Sequence, residues 1–201
     1  MFNSRAKGAR GENEVAKKLD AWWGGFEVGC HFVRCPLSGG WRNATIRGEF
    51  QASGDLMVAS APSWPFCIEI KHREGWAWKN VYAGNKSPVW GWWRQCQDAA
   101  KECGKQPLMF FRHNNESWHV FLPEAYGFQC GLWGSGFVDA VGNPNTMMQE
   151  AHFFEDMLWR VDYGAELPVL VTADALFDLA PRMLVLPPKT GVRLTGSERK
   201  R

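Results

Sequence analysis

The sequence predicts an α/β protein, and three observations carry that reading. Apolar residues recur at helical spacing between residues 3 and 23. Two short runs, Asp55 to Ala59 and Phe66 to Lys71, alternate sides with the two-residue period of a strand. A second helical stretch, Val89 to Cys103, is followed by two apolar runs separated by an Asn114-Asn115 turn.

In the first helix Asn3 or Ser4 is the expected cap. At about 100° per residue, Val15, Ala16, Leu19, Trp22 and Trp23 share one stripe. Glu12 falls almost at the centre of that stripe, where a carboxylate costs free energy unless a cation or donor meets it. Glu14, Lys17 and Lys18 lie on the other side and read as a solvated face. Phe26 to Cys35 reads as a first strand. The stretch from Pro36 to Ala52 is polar, carries Gly39-Gly40, Arg42, Arg47 and Glu49, and shows no period. A loop of that length is usually functional or mobile. It directly precedes Asp55, so its arginines are candidate phosphate contacts.

Asp55 to Ala59 and Phe66 to Lys71 are expected to pair as a hairpin through a turn at Ser60 to Pro65. Phe66, Ile68 and Ile70 then face one way, and Cys67, Glu69 and Lys71 the other. The helix from Val89 places Trp92, Trp93, Cys96, Ala99, Ala100 and Cys103 on its apolar stripe and stops at Gly104. Pro107 to His113 and Ser117 to Leu122 are the closing strands. Beyond Pro123, residues 127–145 read as loop or linker. Met147 to Arg160 has helical periodicity, Thr172 caps a short helix through Leu179, and Val185 to Pro188 reads as a small strand.

Composition excludes more than it suggests. With 201 residues and 45% hydrophobic residues, the chain can bury a core and reads as one domain, with or without an appendage. A net charge of +2 does not announce a nucleic-acid partner. No apolar run approaches the ~20 residues needed to cross a bilayer, and the N-terminus lacks a signal peptide's apolar core, so a soluble, cytoplasmic protein without membrane partners is expected. Six cysteines form no C-x-x-C pair and read as reduced, buried thiols.

The chemistry-bearing set is Asp55, Glu69 and Lys71. Two carboxylates suit a hard cation such as Mg²⁺, which prefers oxygen ligands and keeps several waters. Lys71, two residues after Glu69, shares its face of the strand and can orient a water or steady charge on a phosphate. The three charges converge at the open end of the hairpin, and Glu12 supplies a further carboxylate.

Gly8-Ala9-Arg10-Gly11-Glu12, Ser53-Gly54-Asp55 and Ile68-Glu69-Ile70-Lys71 together resemble the PD-(D/E)XK nuclease superfamily, most closely archaeal-type Holliday-junction resolvases and similar phage enzymes. The resemblance spans roughly residues 5 to 120. It implies a restriction-endonuclease-like α-β-β-β-α-β core, with a mixed central sheet flanked by helices. It also implies a homodimer and Mg²⁺ or Mn²⁺ as cofactor. By position Glu12, Asp55 and Glu69 are the acidic residues, with the Ile70 carbonyl as a further metal ligand and Lys71 as the catalytic lysine. Ser53 matches a serine such enzymes often carry before the aspartate, and Gln95 is the candidate polar residue on the second helix. Lys7, Arg10, Arg42 and Arg47 are the candidate DNA contacts. The superfamily's proline is replaced by Gly54.

Five tryptophans between residues 76 and 93 depart from the resolvase pattern. Trp92 and Trp93 belong to the core by periodicity. Trp76, Trp78 and Trp90 stay open between stacking on exposed bases and a dimer interface. The expected organisation is a nuclease core over 1–123 and a C-terminal extension over 124–201, packed on the core or at the dimer interface. The expected activity is metal-dependent hydrolysis of DNA, branched or duplex, with a four-way junction as the leading substrate. A restriction-type or recombination-associated nuclease and a non-catalytic DNA-binding protein on the same fold are the alternatives.

Overall fold

The computed structural model describes residues 4–35, 54–59, 63–82, 87–123, 126 and 168–185. In chain order the elements are α1 (Ser4–Trp23), β1 (His31–Arg34), β2 (Leu56–Ala59), β3 (Phe66–His72), α2 (Trp78–Tyr82), α3 (Pro88–Glu102), β4 (Gln106–Arg112), β5 (His119–Pro123), β6 (Pro168–Thr172), α4 (Ala173–Phe177) and α5 (Arg182–Val185). Four strands form a mixed sheet in the order β3-β4-β5-β6, with β3 parallel to β4 and the other neighbours antiparallel. The parallel pair is joined across the sheet by α2 and α3, as a parallel connection requires. This is the mixed α/β architecture expected of a restriction-endonuclease-like fold.

Each face of the sheet buries one layer. Phe66, Ile68, Ile70, Leu108, Phe110 and Val120 pack with Val15, Ala16, Leu19 and Trp23 of α1. Met109, Phe111, Phe121 and Leu170 pack with Val89, Trp90, Trp93 and Cys96 of α3. The predicted α1 stripe is therefore the buried one. Ser87 caps α3 by accepting from the Val89 N–H at 3.4 Å, Pro88 opens its first turn, and Gly104 follows its end at φ 65°. Among the described residues no helix is long and apolar enough to cross a membrane.

Several expectations are corrected. Residues 26–30 are not strand: Phe26 and Glu27 donate to the Trp23 carbonyl and Cys30 to the Glu27 carbonyl, turn bonds that delay β1 to His31. β2 does not form a hairpin ladder with β3; it pairs antiparallel with β1, and the residues just before it approach β3 through a parallel bridge of Gly54 to Ile68. Alternation reports which face a residue occupies, not which strand lies beside it. β6, a fourth strand that pairs with β5 over His119↔Thr172 to Pro123↔Pro168, was not anticipated. Thr172 does cap the short helix after it, accepting from the Ala175 N–H at 3.2 Å, but Val185 ends a helix rather than opening a strand. The helix expected at Met147 to Arg160 and the loops at 36–52 and 127–145 lie outside the described residues, as does Cys130.

The tryptophans are structural. Trp76 and Trp90 are 7% and 6% exposed, and their rings pack on Phe111 and Phe121 at 5.6 and 5.3 Å. Trp78 is part-buried against His119 and Tyr82. One five-residue helix and one fifteen-residue helix must cover this side of the sheet, and indoles bury about 150–250 Å² each. Cys103, expected on the apolar stripe, is instead exposed, while Cys30, Cys35, Cys67 and Cys96 are buried and in no disulfide.

Glu14 is not a solvated residue either. Arg112 Nη1 and Nη2 donate to its two oxygens at 3.1 and 2.7 Å, and Trp118 Nε1 donates at 2.9 Å. The guanidinium also lies 4.3 Å over the Trp118 ring, so α1, β4 and the approach to β5 are tied at one point. Burial alone would raise the Glu14 pKa, but Trp118 and Arg112 outweigh it and hold it below its usual value. Glu14→Ala should cost about 1–2 kcal/mol, charge-assisted bonds discounted for partial exposure. Urea unfolding at pH 7 reads this directly, and an unchanged midpoint would remove the role.

Candidate active site

The site is built around the edge of β3 that β4 does not cover. Backbone groups of alternate residues point to the same edge of a strand, so those of Ile68 and Ile70 both face away from β4. Asp55 occupies that edge with both its backbone and its side chain. Its N–H donates to the Ile68 carbonyl at 2.7 Å, and its Oδ2 accepts the Ile70 N–H at 2.7 Å. The Cys35 N–H in turn donates to the Asp55 carbonyl at 2.9 Å, linking the end of β1 to the same residue. Gly54 allows this close approach. Its φ is +80°, and a Cβ there would lie 2.0 Å from the Ile68 carbonyl oxygen.

Three carboxylates are buried here: Asp55 at 9%, Glu12 at 7% and Glu69 at 4% exposure. Glu69 lies on β3 in register with Met109 of β4, and its Oε1 takes an ion pair from Lys71 Nζ two residues on. Glu12, from α1, pairs through Oε2 with Arg34 Nε at the end of β1. Burial, reinforced by Glu69 and more weakly by Glu12, pushes the Asp55 carboxyl from 3.8 up to about 7, although Lys71 and the Ile70 N–H pull the other way. Burial, then Asp55 and Glu12, likewise raise the neighbouring Cys35 thiol to about 11. Glu12, Asp55, Glu69 and Lys71 thus lie within one electrostatic neighbourhood although they come from three separate parts of the chain.

Among the described residues, no three His, Cys, Asp or Glu side chains are gathered tightly enough to hold a metal by themselves. Mg²⁺ does not require that, since it is commonly held by one or two carboxylates with several retained waters. A buried aspartate whose charge is disfavoured by its surroundings, beside a second buried carboxylate, is an electrostatic demand for a cation. The residues that could hold such an ion are Asp55, Glu69 and the Ile70 carbonyl, which faces the same edge of β3 as the Ile70 N–H bound by Asp55.

Lys7 donates to Glu74 Oε1 at 2.9 Å, and Arg10 is exposed on α1. Gln95 is exposed on α3, whereas the next residue, Cys96, is buried. Its thiol is raised well above its usual pKa by burial and then by Glu69. Ser53, Arg42 and Arg47 lie outside the described residues. Arg34 was not anticipated. Its signal was indirect: Glu12 on a buried stripe had to find a cation, and the sequence does not say which.

Neither curated proteins nor solved structures give a match to the chain. A family model does. The family described as “Phage putative PDDEXK endonuclease” matches residues 3–129, a span that contains Glu12, Asp55, Glu69 and Lys71. The chain belongs to this family and is a nuclease of the PD-(D/E)XK type.

Proposed function

We propose that the protein is a DNA endonuclease that uses Mg²⁺ or Mn²⁺ to hydrolyse phosphodiester bonds. The observation that carries this is Asp55, a buried carboxyl latched to the edge of β3 away from β4, beside Glu69 and Lys71. Asp55, Glu69 and the Ile70 carbonyl would hold the cation, and Glu12 would hold a second ion or a water. A bound divalent ion supplies charge stabilisation for the attacking and leaving oxygens of the phosphate. Lys71 holds the attacking water and donates to the phosphoryl oxygens as their charge grows. Ser53, next to Gly54-Asp55, and Gln95 on α3 complete the set as polar neighbours of the reacting phosphate. Lys7 and Arg10 on α1, with Arg42 and Arg47 between β1 and β2, bind the flanking phosphates, each as a positively charged, sequence-independent contact.

A four-way DNA junction is the finer substrate reading, with two copies of the chain placing two sites for paired nicks. It rests on the Gly8–Glu12 and Ser53–Asp55 pattern. One observation favours a restriction-type or recombination-associated nuclease instead: Trp76 and Trp90, which could have wedged open a branch point, are buried in the core. A non-catalytic DNA-binding protein is disfavoured, because all four of Glu12, Asp55, Glu69 and Lys71 are present. The family match ending at residue 129 supports taking 1–123 as the nuclease core and 124–201 as an extension that packs on it, with β6 added to the edge of its sheet.

The test is cleavage of a labelled four-way junction beside linear duplex and single strands, in Mg²⁺, Mn²⁺ or EDTA. Paired, metal-dependent nicks in the junction alone would establish the resolvase. Equal cutting of all three would leave a general nuclease. Lys71→Ala should lower cleavage by roughly 10²–10³-fold while DNA binding in Ca²⁺ is retained. Cleavage at the parent rate would remove Lys71 from the chemistry.

A further inference from the structure

Arg34 is the cation the site supplies for itself at Glu12. It stands at the end of β1, paired with Leu56 of β2, one residue before the Cys35 N–H that holds the Asp55 carbonyl. Its position is therefore tied to the same residue that anchors the carboxylate cluster. The side chain is 40% exposed while that of Glu12 is 10% exposed, so the guanidinium reaches from solvent onto a buried carboxylate. Contact is made through Nε. A guanidinium carries five N–H donors in a fixed fork, and its outer edge suits the two oxygens of a phosphate. The Glu12 carboxylate cannot give its charge fully to a divalent ion and to Arg34 at once.

We propose that Arg34 is a placeholder and phosphate ligand: it occupies Glu12 until a divalent cation takes that carboxylate, and then binds a phosphate of the DNA strand at the site. The proposal rests on the nuclease reading above and deepens it by naming how metal and DNA binding are coupled. Metal entry at Glu12 releases the guanidinium, and the released guanidinium raises affinity for the polyanion. By linkage, DNA bound to Arg34 removes a competitor from Glu12 and tightens metal binding in return. Arg34 acts on the metal only through Glu12, so on that side it is a positioning residue.

Mn²⁺ binding to the DNA-free protein, followed by electron paramagnetic resonance of the free ion, separates the parts. Arg34→Gln should bind Mn²⁺ about 3- to 10-fold more tightly than the parent, the scale of removing one partly exposed ion-pair partner. In a Glu12→Gln background the same change should have no effect on Mn²⁺. Duplex DNA affinity in Ca²⁺ should fall about 10-fold in Arg34→Gln and recover in part in Arg34→Lys, which restores charge but not the fork. Mn²⁺ affinity that is unchanged or weaker in Arg34→Gln overturns the placeholder, and unchanged DNA affinity overturns the phosphate contact. A parent protein that binds no Mn²⁺, with or without DNA, removes the nuclease reading itself. Circular dichroism melting of each variant checks that the fold is kept; Arg34→Met, which keeps the apolar stem and removes the charge, carries the Mn²⁺ and DNA tests if Arg34→Gln does not fold.

Discussion

Asp55→Asn should give a protein that unfolds at higher denaturant than the parent at pH 8 in EDTA, and that cleaves no DNA. The Asp55 carboxyl is pushed up to about 7 from an ordinary 3.8, first by burial and then by Glu69. A carboxyl with a raised folded-state pKa contributes its stability below the unfolded value and loses it as pH climbs through the folded one. The parent is therefore penalised progressively between about pH 4 and pH 7. Above pH 7 the penalty is at its maximum. Each tenfold change in the carboxyl's proton affinity corresponds to about 1.4 kcal/mol, so the asparagine should gain about 1–4 kcal/mol at pH 8, the upper end holding if solvent screens none of the burial. Its amide oxygen can still accept the Ile70 N–H, so no buried donor is orphaned.

The two proteins should come within about 0.5 kcal/mol of each other at pH 4, where neither folded state carries the charge. Adding Mg²⁺ should stabilise the parent, because a ligand that binds only the folded state shifts the equilibrium by mass action. Asp55→Asn should respond far less. Urea titrations at pH 4 and pH 8, each in EDTA and in Mg²⁺, measure all of this. A parent more stable than the variant at pH 8 in EDTA would mean that the carboxylate is held by cations already present. It would then not be waiting for one.

Much of this site is legible in the chain itself, because two periodicities suffice. The 100° step puts Glu12 at the centre of a buried stripe, and it is buried. The two-residue step puts Glu69 and Lys71 on one face, and they pair there. What periodicity lacks is neighbour identity. It cannot say that β2 turns away to pair with β1, that Arg34 is the partner of Glu12, or that Arg112 crosses to Glu14. Those depend on which segments meet in space. β6 escapes notice because Pro168–Thr172 is only five residues long and opens with proline, which suits a strand's first position but lowers its signal. The tryptophans mislead for a different reason. Composition makes them look surplus, whereas a layer made of two helices, one of them a single turn, needs their area.

Among the described glycines, Gly54→Ala should be the most damaging alanine substitution. The added Cβ would meet the Ile68 carbonyl oxygen at 2.0 Å and its carbon at 2.8 Å, both backbone atoms of a strand fixed by β4. At φ +80° the residue is also strained for any L side chain. A proline, locked near −65°, could not adopt this conformation at all. Relief requires the Gly54-Asp55 segment to lift off β3. That breaks the Asp55 N–H to Ile68 bond and carries the carboxylate away from Glu69. Stability should fall by about 2–4 kcal/mol. Cleavage should fall further than stability alone accounts for, since a displacement of about 1 Å in a reacting group costs on the order of 10²-fold. Gly104→Ala is the matched control: its φ is +65°, but a Cβ there meets nothing within 4 Å. It should cost only about 1 kcal/mol and leave cleavage at the parent rate at a temperature where both variants are folded. If the two alanine variants lose stability and activity equally, Gly54 is only a turn residue, and the latch that positions Asp55 does not exist.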